Sequence, residues 1–298
     1  MKEKRHIYTP IFVSAILLLM VITKLVDSSL LNRENEYVAI ILLECVIFAI
    51  PGIIFTRLAG SREEKLIKIS FLKKNSVMIL LLASLILITG GILYGFLASG
   101  SDFGADLTFE LYDVFTAKYA DSVGEVMYLI LAYALIPAFF EEFTFRGIIC
   151  AKYDGISPLY SVLMSSVFFG FIHLDLSMLA FYIFAGFILS IVLYAVESVF
   201  ITIAVHFIYN MFFIFCPMYI SGIYVAGKEF LLFLCGIIFF GSLALFCSEC
   251  RKAFLRKAEE ADNREDSSKS TKPNFFEVIL SPTAIACYVI YLVAVAIL

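Results

Sequence analysis

The sequence predicts an all-α fold, a polytopic membrane bundle of about eight or nine transmembrane helices around an intramembrane cavity. Three observations carry the prediction. Of 298 residues 62% are hydrophobic and 16% charged, with 31 Phe and a mean hydropathy of +0.97, whereas an ordinary soluble domain is roughly half apolar and a quarter charged. Apolar runs long enough to cross the roughly 30 Å hydrocarbon core as helices, about 20 residues each, recur nine times. Finally, Lys and Arg concentrate in alternate loops, the bias that orients membrane proteins.

The first run, 10–31, follows the basic "MKEKRH". It exceeds the roughly 7 to 15 residues of a signal-peptide core and no A-x-A-like site follows, so it is expected to remain as a span. The second run is 37–56, and the loop behind it carries Arg57, Arg62, Lys65, Lys68, Lys73 and Lys74, which reads as cytoplasmic. Behind the third, 76–99, come Asp102, Asp106, Glu110, Asp113 and Asp121 with only Lys118 against them, which reads as a solvated exterior loop. Runs four to six are 125–149, 157–174 and 177–196. The short "HLDLS" between the last two would leave eight spans if one of them is tilted or re-entrant. Runs 199–220, 229–248 and 275–298 complete the set, and the segment 249–274, with Arg251, Lys252, Arg256 and Lys257, then falls on the cytoplasmic side together with the N-terminus. Within it "AEEADNREDSSKSTKPN" mixes both charge signs and reads as a flexible loop.

The expected division is 1–124 for the first three helices and the acidic loop, 125–220 for a four-helix catalytic core, and 221–298 for the remaining helices. The localisation expected is multi-pass in a membrane with the N-terminus cytoplasmic, and the plasma membrane in a bacterium. No internal repeat of the transporter kind is visible. Seven Cys are scattered. Cys247 and Cys250 form a C-x-x-C, yet no second pair or nearby His completes a metal set, so a structural role is expected.

The polar residues inside the apolar runs point to chemistry. Residues 139–149 read "FFEEFTFRGII", and each charge at a bilayer centre costs about 2.5 to 3.5 kcal/mol. Glu142 and Arg146 are four apart and share a helical face, so they can pair. Glu141 points about 100° away and needs another partner. Pro137, lacking an N–H, frees the carbonyl of Tyr133 and favours a kink. A cluster of this kind can also serve only to lock helices together.

Of the three His, His6 lies in the basic N-terminus, whereas His173 in "FFGFIHLDL" and His206 in "VHFIYN" lie in apolar surroundings. Phe169 and His173, like His206 and Asn210, are separated by four residues and project from one face. If spans four and five turn back at "KYDGISP", residue 141 falls opposite roughly residue 173. A carboxylate and an imidazole can hold a water and remove its proton as it attacks a carbonyl. An imidazole N–H and a carboxamide N–H can stabilise the resulting oxyanion. The set suits an amide hydrolase, and neither a G-x-S-x-G nor a Cys–His motif supplies a nucleophile instead.

Glu-Glu-x-x-x-Arg at Glu141, Glu142 and Arg146, Phe-x-x-x-His at Phe169 and His173, and His-x-x-x-Asn at His206 and Asn210 together resemble the CPBP family of CAAX proteases and bacteriocin-processing enzymes, also called the Abi family. The resemblance covers roughly residues 125–215 and implies an intramembrane protease whose site opens toward the cytoplasm. It implies that Glu141 and His173 activate the water, that His206 and Asn210 form the oxyanion hole, and that Glu142, Arg146 and Phe169 support them. The terminal "VAIL" has no Cys to prenylate, so the chain is not expected to be a CAAX product itself.

His173, His206 and Glu141 could supply the three ligands of a catalytic zinc. The absence of H-E-x-x-H, and the pairing of Asn210 with His206, disfavour that, and no cofactor is expected. The expected partners are the bilayer and a peptide or protein substrate, lipidated or not, with no nucleic acid. Two rival functions follow from the same residues: a catalytically silent bacteriocin-immunity or scaffold protein that acts by binding, and a transporter using the buried charges as a proton relay.

Overall fold

A computed structural model describes residues 7–25, 36–58, 76–99, 123–215, 217–262 and 275–298. Among them every regular element is helical. Helix α1 is Tyr8–Leu25 and α2 runs from Glu36–Glu44 through a π-helical turn at Cys45–Ala49 into Ile50–Leu58. Helix α3 is Ser76–Ser99, and α4 is Val123–Asp154, interrupted by π-helical segments at Leu131–Leu135 and Phe143–Ile149. Then follow α5 (Pro158–Ile172), α6 (Leu179–Val196), α7 (Val199–Phe215), α8 (Pro217–Asp262), α9 (Phe275–Ile279) and α10 (Pro282–Ile297).

Each of the nine expected runs coincides with a helix where it is described; residues 26–31 of the first lie outside the described residues. Among the described residues six helices are long and apolar enough to cross a membrane, and three shorter apolar ones, α5, α7 and α10, pack with them. The protein is therefore an all-α integral membrane protein. Two boundaries differ from expectation. The seventh run ends at Phe215, because Pro217 opens a new helix, and α8 continues through 249–262 instead of entering a loop after 248. Its only break is at Gly227, where the backbone leaves helical geometry. The basic and acidic loops at 59–75 and 100–122 lie outside the described residues, as does 263–274.

Local chemistry explains the helix starts. Ser157 and Ser281 sit just ahead of Pro158 and Pro282, and their hydroxyls accept from the backbone N–H of Leu159 (3.3 Å) and Ala284 (3.3 Å). A proline at the first helical position needs no donor and the serine satisfies another, so both helices are capped. Helix α6 ends at Glu197, whose φ of 62° reverses the chain. The two-residue link Glu197–Ser198 then brings α7 back alongside.

The centre of the bundle is α4 to α7 with α3 and α8 packed against it. Helices α5 and α6 approach closely. A Cβ at Gly170 would lie 2.6 Å from Ile183 Cγ1, and one at Gly186 would lie 2.9 Å from Ser166 Cα. Ser166 and Gly170 on α5, and Gly186 and Ser190 on α6, are each four residues apart. This small-x-x-x-small spacing lets membrane helices bring their backbones together.

Candidate active site

Arg146 is one of the largest fully buried side chains of the described residues, at 1% exposure. Its Nη1–H donates to Glu142 Oε1 (2.8 Å) and its Nη2–H to the carbonyl of Gly186 on α6 (3.0 Å). The guanidinium lies over the Phe169 ring, 4.5 Å from its centroid. Two charge-assisted hydrogen bonds and a cation–π contact thus replace the water this cation leaves behind. The expected Glu142–Arg146 pair is present, and it is tied to α6 at Gly186, where a Cβ would press on Ser166 and Phe169 of α5. Gly186→Ala should therefore destabilise the protein by about 1 to 3 kcal/mol, measured as a lower melting temperature in detergent. An unchanged melting temperature would show that α6 can give way.

Helix α7 brings His206 and Asn210 to α4. His206 Nδ1 lies 3.1 Å from Glu142 Oε1, and the Asn210 Nδ2–H donates to the carbonyl of Ala134 at 3.4 Å. Ala134 belongs to the π-helical turn just ahead of Pro137, so the distortion expected there takes the form of a widened turn rather than a simple kink. The spacing of His206 and Asn210 does direct both at one neighbour. The glutamate that His206 meets is Glu142, which also takes the arginine.

His173 is the C-cap residue of α5. Its Nδ1–H donates to the carbonyl of Phe169 (2.8 Å), which fixes the tautomer and leaves Nε2 with a lone pair. The ring stacks on Tyr182 of α6, with centroids 3.8 Å apart and planes at 15°. The turn behind it is held by Asp175, which accepts from Ser177 N–H, Ser177 Oγ–H and Met178 N–H at 2.9, 2.7 and 3.2 Å. Phe169 lies edge-on to both imidazoles, with centroids 5.0 Å from His173 and 5.7 Å from His206. It is the common floor of the cluster.

Helices α4 and α5 are antiparallel, as expected, but in a different register. Ser161 Oγ–H donates to the Cys150 carbonyl (2.8 Å) and Ser165 Oγ–H to the Phe145 carbonyl (3.3 Å). Extended along the pair, this places residue 141 level with 169–170, about one turn from His173. The cause is the turn: α4 ends at Asp154 and α5 starts at Pro158, so the chain reverses about Gly155, earlier than a pairing of residue 141 with 173 requires. No hydrogen bond joins Glu141 to His173.

Glu141 is buried, at 9% exposure, and its Oε2 has no hydrogen-bond partner among the described residues. The charges within electrostatic reach of it are Glu44, Glu142 and Arg146. Glu44 comes from α2, just ahead of that helix's π-helical turn, and its Oε2 is likewise enclosed without a hydrogen bond. Sequence reasoning passed over Glu44. The signal was available in "AIILLECVIF", a lone carboxylate in an apolar run, under the same insertion-cost argument that picks out Glu141.

The site thus holds one arginine, two adjacent glutamates and two histidines whose Nδ1 atoms are both engaged, so that each histidine has Nε2 left for a ligand. Such a set can orient water and stabilise an anion. Among the described residues no three His, Cys, Asp or Glu side chains gather as a metal-binding group.

Compared with known proteins, residues 123–212 match the family model of the type II CAAX prenyl endopeptidase Rce1-like proteins. The match spans under a third of the chain, and it begins and ends with the helices that carry the cluster, α4 to α7. No curated protein and no solved structure matches the chain. Over residues 123–212 the chain is thus similar to the type II CAAX prenyl endopeptidase Rce1-like proteins, the same segment whose motifs resemble the CPBP family.

Proposed function

We propose that this protein hydrolyses a peptide bond in a membrane-associated peptide or protein, lipidated or not, with residues 125–220 as the catalytic core. The observation that carries the reading is the buried Arg146–Glu142–His206 chain with Glu141 beside it, its Oε2 free of hydrogen bonds. Glu142 balances the cations, and Glu141 is left without a structural duty. A carboxylate kept in a costly environment for no structural return is available as a base.

In the proposed reaction Glu141 and His173 hold a water, His173 through Nε2. Glu141 removes one proton as the water oxygen bonds to the carbonyl carbon, and the negative charge moves to the carbonyl oxygen. His206 and Asn210 donate to that oxygen. When the tetrahedral carbon collapses, the C–N bond breaks and Glu141 returns its proton to the leaving nitrogen, so acid and amine account for all atoms. His206 donates from Nε2 while its Nδ1 side faces the Glu142 carboxylate, which holds the ring in that orientation. As proposed, the reaction uses water and side chains alone.

The test is a comparison of membrane peptides between cells carrying wild-type and Glu141→Ala protein. Mass spectrometry should find fragments that vanish, and longer precursors that accumulate, in the variant. Identical peptide profiles with equal amounts of inserted protein would sink the reading. The second reading, an immunity or scaffold protein that acts by binding, would gain if a cellular phenotype of the protein survives Glu141→Ala and His206→Ala undiminished.

A further inference from the structure

The oxyanion site is short of free donors. Asn210 already gives one amide hydrogen to Ala134, and the Nδ1–H of His206 is spent on Glu142. A hydroxyl stands close by. Tyr182 lies face to face with His173 at 3.8 Å, and Glu141 is among the charges that act on its phenol. No hydrogen bond engages that hydroxyl among the described residues, and it is absent from the polar atoms sealed away without partners. Its backbone is also held in place. The neighbouring Ile183 is a residue on which α6 meets Gly170, so Tyr182 sits beside a close contact of α5 with α6.

From this geometry we propose that Tyr182 is a further residue of the site, its ring setting the plane of His173 and its hydroxyl donating a hydrogen bond to the substrate carbonyl oxygen as negative charge develops there. The inference rests on the peptide-hydrolase reading above. The hydroxyl keeps its proton throughout, so no transfer has to be balanced. A phenol suits the task because it is a stronger donor than an amide yet uncharged, and a neutral donor adds no insertion cost in the bilayer.

Tyr182→Phe keeps the stacked ring and removes only the donor; Tyr182→Leu removes both. The measurement uses full-length protein in nanodiscs with two probes: internally quenched peptides, one farnesylated and one not, and the same peptides with the scissile amide replaced by a phosphonate, a tetrahedral anion. Tyr182→Phe should lower kcat by about 10²-fold with KM little changed, and should weaken phosphonate binding by a similar factor. Tyr182→Leu should lose more, because His173 is freed to turn. Wild-type kcat and phosphonate affinity in Tyr182→Phe would overturn the proposal and leave the hydrolase standing. Wild-type protein that binds the phosphonate through Tyr182 but cleaves neither peptide would overturn the hydrolase and keep the hydroxyl's role. Neither cleavage nor phosphonate binding would overturn both.

Discussion

Glu141→Gln should give a folded, membrane-inserted protein that has lost about 10² to 10⁴ of its hydrolytic rate, the contribution of a positioned general base. The two effects separate because of where the side chain sits. Glu141 Oε2 makes no hydrogen bond among the described residues, whereas the structural pairing is made by its neighbour Glu142. An isosteric amide therefore removes the proton acceptor without breaking the network, and thermal unfolding followed by circular dichroism should change little. A variant within a few-fold of the wild-type rate would remove Glu141 from the mechanism.

Arg146→Met should be the most damaging single change to the fold. It leaves the Glu142 carboxylate, which has no exposure, facing only an imidazole, and breaking a buried ion pair from one side costs about 3 to 5 kcal/mol. It also releases the Gly186 carbonyl from its only side-chain donor. The double variant Glu142→Leu with Arg146→Met replaces both charges by apolar groups of similar size, an exchange that is often neutral in stability. The double variant should recover much of the melting temperature and none of the activity, since His206 then has no carboxylate to orient it. If Arg146→Met alone melts like the wild type, the pair is not what holds α4 to α6.

Much of this arrangement is legible in the amino-acid order. A helix in lipid must satisfy its own backbone and span a fixed thickness, so runs such as 76–99 and 177–196 announce themselves by length alone. The Glu142–Arg146 pair is equally legible, because a four-residue separation determines it within one helix. Contacts between helices are less so. Glu141 and Glu142 differ by about 100° in direction, and which of them meets His206 depends on how α4 is rotated against α7. That rotation passes through two π-helical segments, of which only the one before Pro137 carries a clear cue. The register of His173 depended on whether the chain reverses at Gly155 or one turn elsewhere, a difference of a few residues that no hydrophobic period encodes. Glu44 shows the opposite failure. Its cue was present, but a solitary carboxylate acquires meaning only when another helix brings a second one near it.

The hydrogen bond from Arg146 to Gly186 has a genetic consequence. Its acceptor is a main-chain oxygen, which every amino acid possesses, so no codon change can delete it. On the acceptor side only a side chain large enough to part α5 from α6 can disturb it, and position 186 is open to such a change because a Cβ there would meet Ser166 and Phe169 at 2.9 to 3.2 Å. A screen for inactive mutants should consequently yield a sharp cluster on α6, a helix that contributes no acid or base. Judged by chemistry, those hits would look unrelated to the glutamates on α4; judged by geometry, they are mutations of the arginine's anchor, 40 residues from it in sequence.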